Sequence, residues 1–215
     1  MLPKKSLFFG DSITNGDNTV ATFADGITNA VATQDATVGY APAVAASVRA
    51  EYGIVAYGGA SWDGTAADGH TPGLMTFYAM LDAAHSRLKS GKFSPVPDEI
   101  FINMGENAGP AAGDVSNLIT SLRAASSPAT NIWVIVPFSG RRRSELTSGV
   151  FSYHSAHPAD HHTSLLDIGT QVDAAGAGQT KLSVDGQHPL AALDALIAAQ
   201  LAQERQAKLD AIRVQ

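Results

Sequence analysis

Apolar residues along this chain fall into short runs that are continuous rather than alternating. Continuous runs of this kind are typical of parallel strands that are buried on both faces of a sheet. The segments between them repeat apolar residues at helical spacing, so the pattern predicts an α/β fold in which helices cover both sides of a parallel sheet. The predicted strands are Leu7–Phe9, Ile54–Tyr57, Glu99–Met104, Ile132–Phe138 and Ser164–Ile168, and the predicted helices are Ala41–Tyr52, Gly73–Lys89, Ala112–Ala125 and Leu190–Val214.

Two long segments depart from this alternation and are predicted to be loops. Asn15–Gly39 is rich in Thr, Asn, Ala and Gly, and its length just after the first strand indicates a loop that shapes a pocket. Ser139–His162 contains three consecutive arginines and a group of histidines, and we expect it to flank the mouth of that pocket. These residues are Arg141, Arg142, Arg143, His154, His157, His161 and His162.

Composition limits the classes of function that need to be considered. The chain has 215 residues, of which 45% are hydrophobic, so we expect residues 1–215 to form a single domain. The formal charge of −6 disfavours nucleic acid and anionic membrane surfaces as partners. The absence of cysteine excludes disulfides and thiolate chemistry. The first strand follows Met1–Lys5 without a signal peptide, so we expect the natural protein to have a segment upstream.

Two distant segments carry the parts of a nucleophilic site. Ser12 follows the first predicted strand, and in open α/β sheets ligands bind at the carboxyl ends of the strands. A serine hydroxyl is a weak nucleophile and needs a base, and histidine is the usual one because it titrates near neutral pH. His188 offers that base, and Asp185 lies close enough in sequence to orient its imidazole. The sequence therefore predicts a Ser12–His188–Asp185 triad for acyl transfer.

Acyl transfer also needs hydrogen-bond donors for the oxyanion of the tetrahedral intermediate. Asn107 follows the third predicted strand and can donate through its side-chain amide. The glycine-rich turn after the second strand can donate through its main chain, and either Gly59 or Ser61 is in the register to do so. The N–H group of Ser12 itself completes the predicted oxyanion hole.

In these motifs and their order, the sequence resembles the SGNH, or GDSL-type, hydrolase superfamily. Residues 10–12 match the Gly-Asp-Ser block with its serine nucleophile, Gly105 and Asn107 match the Gly-x-Asn-Asp block, and Asp185 and His188 match Asp-x-x-His. The resemblance covers nearly the whole chain. It implies a three-layer α/β/α sandwich around a flavodoxin-like, five-stranded parallel sheet, and a mechanism without metal or cofactor.

Within that superfamily, the glycine-rich turn at residues 58–62 and the Asp-Gly-x-His-Pro ending at residues 185–189 look most similar to bacterial carbohydrate esterases that remove acetyl groups from sugars. This resemblance implies a small-molecule or polysaccharide ester as substrate and a secreted or extracytoplasmic location. We expect Asp11 and Trp62 to contact the substrate, with Phe77 and Tyr78 beside Trp62 on a sugar-binding surface.

Three alternatives stay open at this point. A lipase, thioesterase or arylesterase can use the same scaffold. The chain has Ala108 where the family's third block has Asp, which keeps a non-catalytic glycan-binding protein in consideration. The histidines could bind a metal, although Pro158 interrupts the helix that their spacing would need. For Arg141–Arg143 a solvated loop face is favoured over an anion site.

Overall fold

The computed structural model describes residues 3–21, 31–64, 71–172 and 182–213. Its strands are β1 Lys4–Gly10, β2 Ala50–Ala56, β3 Leu88–Lys89, β4 Lys92–Phe93, β5 Glu99–Asn103, β6 Asn131–Ile135 and β7 Thr163–Leu166. The central strands β5 and β6 are buried along almost all of their length, as the continuous apolar runs predict, whereas β2 is partly exposed.

The helices lie mainly between these strands. They are α1 Ser12–Asn15, α2 Tyr40–Ser47, α3 Leu74–Phe77, α4 Asp114–Ala125, α5 Arg143–Ala156 and α6 Ala191–Arg213, and Val31–Thr33 form a turn of 3-10 helix. In the part of the chain that the structure describes, none of the helices has the length and apolar character to cross a bilayer.

Five strands form one parallel sheet in the order β2-β1-β5-β6-β7, while β3 and β4 form a separate small hairpin. The chain passes from β1 outward to β2 and then returns to the other side of β1 as β5. Strand order therefore reverses between β1 and β5, which makes this the topological switch point, where open α/β sheets bind ligands. Gly10 at the end of β1 pairs with Asn103 at the end of β5.

Successive side chains of each strand enter two separate cores, one on each face of the sheet. Phe8, Phe101 and Trp133 pack toward α2 and α6. Phe9 and Ile102 pack on the other face, with residues of α4 and α5. The result is a three-layer α/β/α sandwich with a five-stranded parallel sheet, and the fold prediction is confirmed.

The predicted helix Gly73–Lys89 is wrong beyond its first turn. Helix α3 ends at Phe77, and a bridge between Met80 and Ser86 then closes a turn. The Asp82 carboxylate accepts hydrogen bonds from the main-chain N–H groups of Ala84 and His85 in that turn. This local acceptor competes with helix formation and ends the apolar spacing that suggested a longer helix. The predicted helix Ala41–Tyr52 also stops early, since Arg49 adopts φ 55° and the chain enters β2 at Ala50.

The predicted loop Ser139–His162 instead contains helix α5. Its histidines do not lie at the carboxyl ends of the strands, so the prediction that they flank the pocket there is wrong. The carbonyl of His162 accepts a hydrogen bond from Ile132 N–H at the start of β6, which places it at the opposite edge of the sheet. His154 Nε2 lies 3.0 Å from the Thr163 carbonyl oxygen, and His162 Nδ1 lies 3.0 Å from Asn131 Oδ1. Within the described ranges, no three His, Cys, Asp or Glu residues are grouped as a metal site requires.

Candidate active site

Ser12 stands at the switch point because the chain turns sharply after β1. A Cβ atom at Gly10 would lie 1.9 Å from Thr14 Oγ1 and 2.8 Å from the carbonyl oxygen of Asn103, so only glycine fits there. Asp11 caps the short helix α1, and its Oδ1 accepts a hydrogen bond from Ile13 N–H at 3.2 Å. These contacts fix the main chain on both sides of Ser12.

The segment that carries Asp185 and His188 forms a closed loop just before α6. A bridge joins Ser183 to Pro189, and Leu190 N–H donates to the carbonyl of Leu182 at 2.7 Å. His188 Nε2 lies 2.7 Å from Ser12 Oγ, and His188 Nδ1 lies 2.6 Å from Asp185 Oδ2. The structure thus brings the three predicted triad residues together in the order that a nucleophile, a base and an orienting acid require.

The Asp185 carboxylate is held by donors on both of its oxygens. Oδ1 accepts from the main-chain N–H groups of Gln187 and His188, at 2.9 and 2.7 Å, and from Ser183 Oγ at 3.2 Å. Oδ2 accepts from Asn18 Nδ2 at 3.1 Å, besides its contact with the imidazole. Nothing in the sequence motifs points to Asn18, since its partner lies far along the chain.

The electrostatic surroundings favour a protonated imidazole beside an ionised carboxylate. Burial by itself would lower the pKa of His188, but the hydrogen bond and charge of Asp185, helped by Asp17 and Asp11, outweigh it and raise that pKa. Burial would raise the pKa of Asp185, yet the hydrogen bonds and charge of His188 hold it well below its usual range. This pairing stabilises the protonated form of His188.

Asn107 lies beside the glycine-rich turn. Its Nδ2 donates to the carbonyl oxygen of Ala60 at 2.9 Å, and the side chain is exposed. Glu106 before it is buried, and Arg141 Nη1 donates to the Glu106 carbonyl oxygen at 2.9 Å. The same Nη1 lies 3.6 Å from Glu106 Oε2. Arg141 therefore holds the loop that carries Asn107 in place through Glu106, and it does not belong to a wholly solvated face.

The two candidates for the main-chain oxyanion donor differ in burial. Gly59 adopts φ +74° in the turn and is half-buried. Ser61 is 0% exposed, its Oγ accepts from Gly64 N–H at 3.1 Å, and its carbonyl accepts from Leu74 N–H at 2.9 Å. Gly59 is the more exposed of the two candidates.

The structure contradicts the predicted substrate contacts of Trp62 and Asp11. Trp62 is 0% exposed and packs in the core, with its Nε1 donating to the Met104 carbonyl at 3.1 Å. Phe77 is equally buried, so these rings form no sugar-binding surface. Asp11 is 1% exposed, and its carboxylate serves the cap of α1. Burial, with the neighbouring Glu106 charge, raises the pKa of Asp11 to about 7.

Two accessible side chains at this edge of the sheet were missed by sequence reasoning. Tyr57 is 38% exposed, and its N–H donates to the carbonyl of Gly10 at 3.3 Å, just before the nucleophile segment. Its ring meets Phe77 edge-on at 5.1 Å. Asp17 is half-buried, with Oδ1 accepting from Asn15 Nδ2 at 3.3 Å. Burial raises the pKa of Asp17, while the charge of His188 opposes the shift.

Comparison with solved structures finds the same fold in carbohydrate esterases. An acetyl xylan esterase from the rumen bacterium Butyrivibrio proteoclasticus aligns with a TM-score of 0.75 at 19% identity, covering 96% of this chain and 64% of that one. A family two carbohydrate esterase from Clostridium thermocellum, in complex with cellohexaose, aligns with a TM-score of 0.74 at 24% identity, covering 96% and 65%.

A lipolytic protein of the G-D-S-L family from Desulfitobacterium hafniense aligns with a TM-score of 0.60 at 14% identity, covering 94% of this chain and 99% of that one. This chain thus spans about two thirds of the length of the two carbohydrate esterases and nearly all of the lipolytic protein. No protein-family model matches the sequence, and a search of curated proteins likewise gave no match.

Proposed function

Starting from the SGNH hydrolase fold of this chain, we propose that it is a serine esterase that hydrolyses short-chain esters, with O-acetyl groups on carbohydrate as its substrate class. The observation that carries this proposal is the chain of contacts from Ser12 Oγ to His188 Nε2 at 2.7 Å and from His188 Nδ1 to Asp185 Oδ2 at 2.6 Å. These are the distances at which proton transfer between a nucleophile and its base is effective.

The acylation step begins when Ser12 Oγ attacks the ester carbonyl and His188 Nε2 takes its proton. Asp185 stabilises the imidazolium that results. The negative charge that develops on the carbonyl oxygen is held by the N–H groups of Ser12 and Gly59 and by Asn107 Nδ2. Collapse of this intermediate breaks the ester bond, and the leaving alcohol receives its proton from His188. The acyl group then remains on Ser12.

Deacylation repeats these steps with water as the nucleophile. His188 takes a proton from the water, the hydroxide attacks the acyl-enzyme, and the same donors hold the second oxyanion. The acid leaves, and the proton on His188 returns to Ser12 Oγ. Apart from the ester and water, every group that acts in these two reaction steps is a side chain or main-chain group of the protein.

Charge and neighbouring structures support the choice of carbohydrate esters. The charges of Asp185, Asp17 and Asp11 all act on His188, so the negative charge around the base favours a neutral substrate over an anionic one. Tyr57 offers an accessible ring at the same edge, and aromatic faces pack well on sugars. Acetylated polysaccharides lie outside cells, so we propose an extracytoplasmic location for the mature protein.

A longer acyl chain is the second candidate, and the similarity to a lipolytic protein is the observation that favours it. Hydrolysis rates on 4-nitrophenyl esters from acetate to palmitate separate the two. We expect kcat/KM to fall steeply beyond acetate or propionate. A rate that rises with chain length would instead assign the protein to the lipases.

Acetate release from a panel of acetylated xylan, mannan and cellulose tests the carbohydrate proposal, with Ser12→Ala as the matched control. We expect release from at least one glycan, and a loss of about 10⁴- to 10⁶-fold in the variant. Binding of these glycans without acetate release would favour a non-catalytic binding protein. Hydrolysis that survives Ser12→Ala would contradict the proposed nucleophile.

A further inference from the structure

Asn18 lies directly behind the triad acid. Its Nδ2 donates to Asp185 Oδ2 at 3.1 Å, the same oxygen that contacts His188 Nδ1. Asn18 Oδ1 in turn accepts from Thr33 Oγ1 at 3.2 Å. The Asn18 side chain therefore connects the segment after the nucleophile to the loop that carries the base, and it is 2% exposed.

The main chain holds this asparagine in a defined orientation. Asn18 adopts φ 59°, a left-handed conformation that asparagine tolerates better than most residues. Its carbonyl accepts from Ala21 N–H at 3.0 Å. The next residue, Thr19, donates through Oγ1 to Gly16 at 2.7 Å and accepts from Ala191 N–H at 3.0 Å. Through its neighbour Thr19, Asn18 is thus anchored to Gly16 at the C-cap of α1 and to the start of α6.

The position of this amide matters for the chemistry of Asp185. Among the residues that the structure describes, Oδ1 accepts three hydrogen bonds, whereas the partners of Oδ2 are the imidazole and Asn18. Without the amide, this carboxylate oxygen, on a side chain that is 10% exposed, would lose one of its two partners, which is costly for an ionised carboxylate. The amide also fixes the plane of the carboxylate against the imidazole without adding a charge.

We infer that Asn18 is a positioning residue of the active site, which acts through Asp185 to hold His188 in register with Ser12. This inference rests on the proposed function for its kinetic consequences. Its electrostatic consequence, the effect on the pKa of His188, can be measured without turnover.

Two variants test the role, and Asn131 provides the matched control. Asn131 is a partly buried asparagine whose side chain contacts a histidine, His162, at the opposite edge of the sheet. For Asn18→Ala we expect kcat on 4-nitrophenyl acetate to fall about 5- to 100-fold with KM little changed, because an unpaired buried acceptor costs that much in positioning. Asn131→Ala should change kcat less than two-fold.

Asn18→Asp keeps the shape of the side chain but replaces the amide donor by a second carboxylate, which repels the Asp185 carboxylate instead of donating a hydrogen bond to it. The added negative charge should raise the pKa of His188, so its NMR titration and the acid limb of kcat/KM both move to higher pH. Asn131→Asp should leave both unchanged. A His188 titration that stays unmoved in Asn18→Asp would show that position 18 is not coupled to the base through Asp185, and that result would overturn the inference.

The two proposals fail in different ways. An inactive wild type, or an active Ser12→Ala variant, contradicts the proposed esterase, while the His188 titration still decides the role of Asn18. An active wild type in which Asn18→Ala keeps kcat within two-fold and Asn18→Asp leaves the titration unmoved contradicts Asn18 alone. Urea unfolding of each variant confirms that the protein remains folded.

Discussion

Asn107 Nδ2 donates a hydrogen bond to the main-chain carbonyl oxygen of Ala60 at 2.9 Å, and so joins the loop after β5 to the loop after β2. An amide nitrogen carries two protons, and one bond of this kind leaves the other for a ligand. The contact also fixes the amide in advance of binding. Preorganised donors of this type stabilise developing charge without reorganising during the reaction.

Replacing Asn107 should therefore slow the chemical step more than it weakens binding. For Asn107→Ala we expect kcat on an acetyl ester to fall about 10²- to 10³-fold, with a much smaller change in KM. Steady-state kinetics measure both. Asn117→Ala, at an exposed position on α4, is the control and should be near wild type. A large rise in KM at unchanged kcat would assign Asn107 to ground-state binding instead.

The pH dependence of activity should follow the imidazole. The pKa of His188 is raised above its ordinary value of 6.5. Since the base must be neutral to accept a proton, kcat/KM should decline on the acid side with an apparent pKa above that value. The charge of Asp17 contributes to the rise, so Asp17→Asn should move the acid limb to lower pH.

Asp98→Asn provides the control for this shift. Asp98 is exposed and accepts from Lys5 N–H at the opposite edge of the sheet. Its variant should keep the wild-type pH profile. If Asp17→Asn and Asp98→Asn gave the same profile, Asp17 would have no electrostatic effect on the base.

Trp62 should matter for stability rather than for sugar binding. Trp62→Phe removes the donor to the Met104 carbonyl inside the core, and we expect the free energy of unfolding in urea to fall by about 1–3 kcal/mol. KM for an acetylated oligosaccharide should change less than two-fold. The exposed Phe151 is the control, and Phe151→Leu should alter stability by less than about 0.5 kcal/mol. A raised KM at unchanged stability would restore Trp62 as a ligand contact.

Asp194 should make stability fall as pH rises. It lies in the first turn of α6 and is 1% exposed. Burial raises its pKa from 3.8 to about 8, although a hydrogen bond from the main-chain N–H of Tyr40 acts to lower it. The folded state then binds a proton that the unfolded state has lost, so the free energy of unfolding declines between about pH 4 and pH 8.

Asp194→Asn cannot titrate and should flatten this decline. Thermal unfolding between pH 5 and pH 8 measures the difference. The control Asp210→Asn lies on the same helix but is exposed, and it should retain the slope of the wild type. An unchanged slope in Asp194→Asn would mean that Asp194 is ionised in the folded protein throughout this range.

Much of the sheet was predictable because strands buried on both faces leave continuous apolar runs. Helix α5 was not, since its buried face consists only of Leu146, Val150 and Tyr153 among small polar residues. The spacing of these three residues was the available signal. Helix α3 was predicted too long because apolar spacing continued past Phe77, while the turn around Asp82 depends on side-chain hydrogen bonds that hydrophobic patterning does not register.

The candidate site likewise contains residues that could be predicted from the sequence and residues that could not. The triad residues lie at a strand end and in one short motif, so sequence could bring them together. Asn18 could not be found, because its role depends on a contact with a residue 167 positions away. Trp62 was misplaced because a tryptophan after a glycine-rich turn can face either the pocket or the core, and only the packing of the folded chain decides which.

Covalent labelling tests the central claim most directly, because it reports whether the hydroxyl of Ser12 is activated by His188. The wild type should react with a fluorophosphonate and gain one phosphonyl group per chain, mapped by mass spectrometry to the peptide that contains Ser12. Ser12→Ala should remain unlabelled, and His188→Ala should react at least about 10³-fold more slowly. Absence of label on Ser12 in folded wild-type protein, or equal labelling of the His188→Ala variant, would contradict the account.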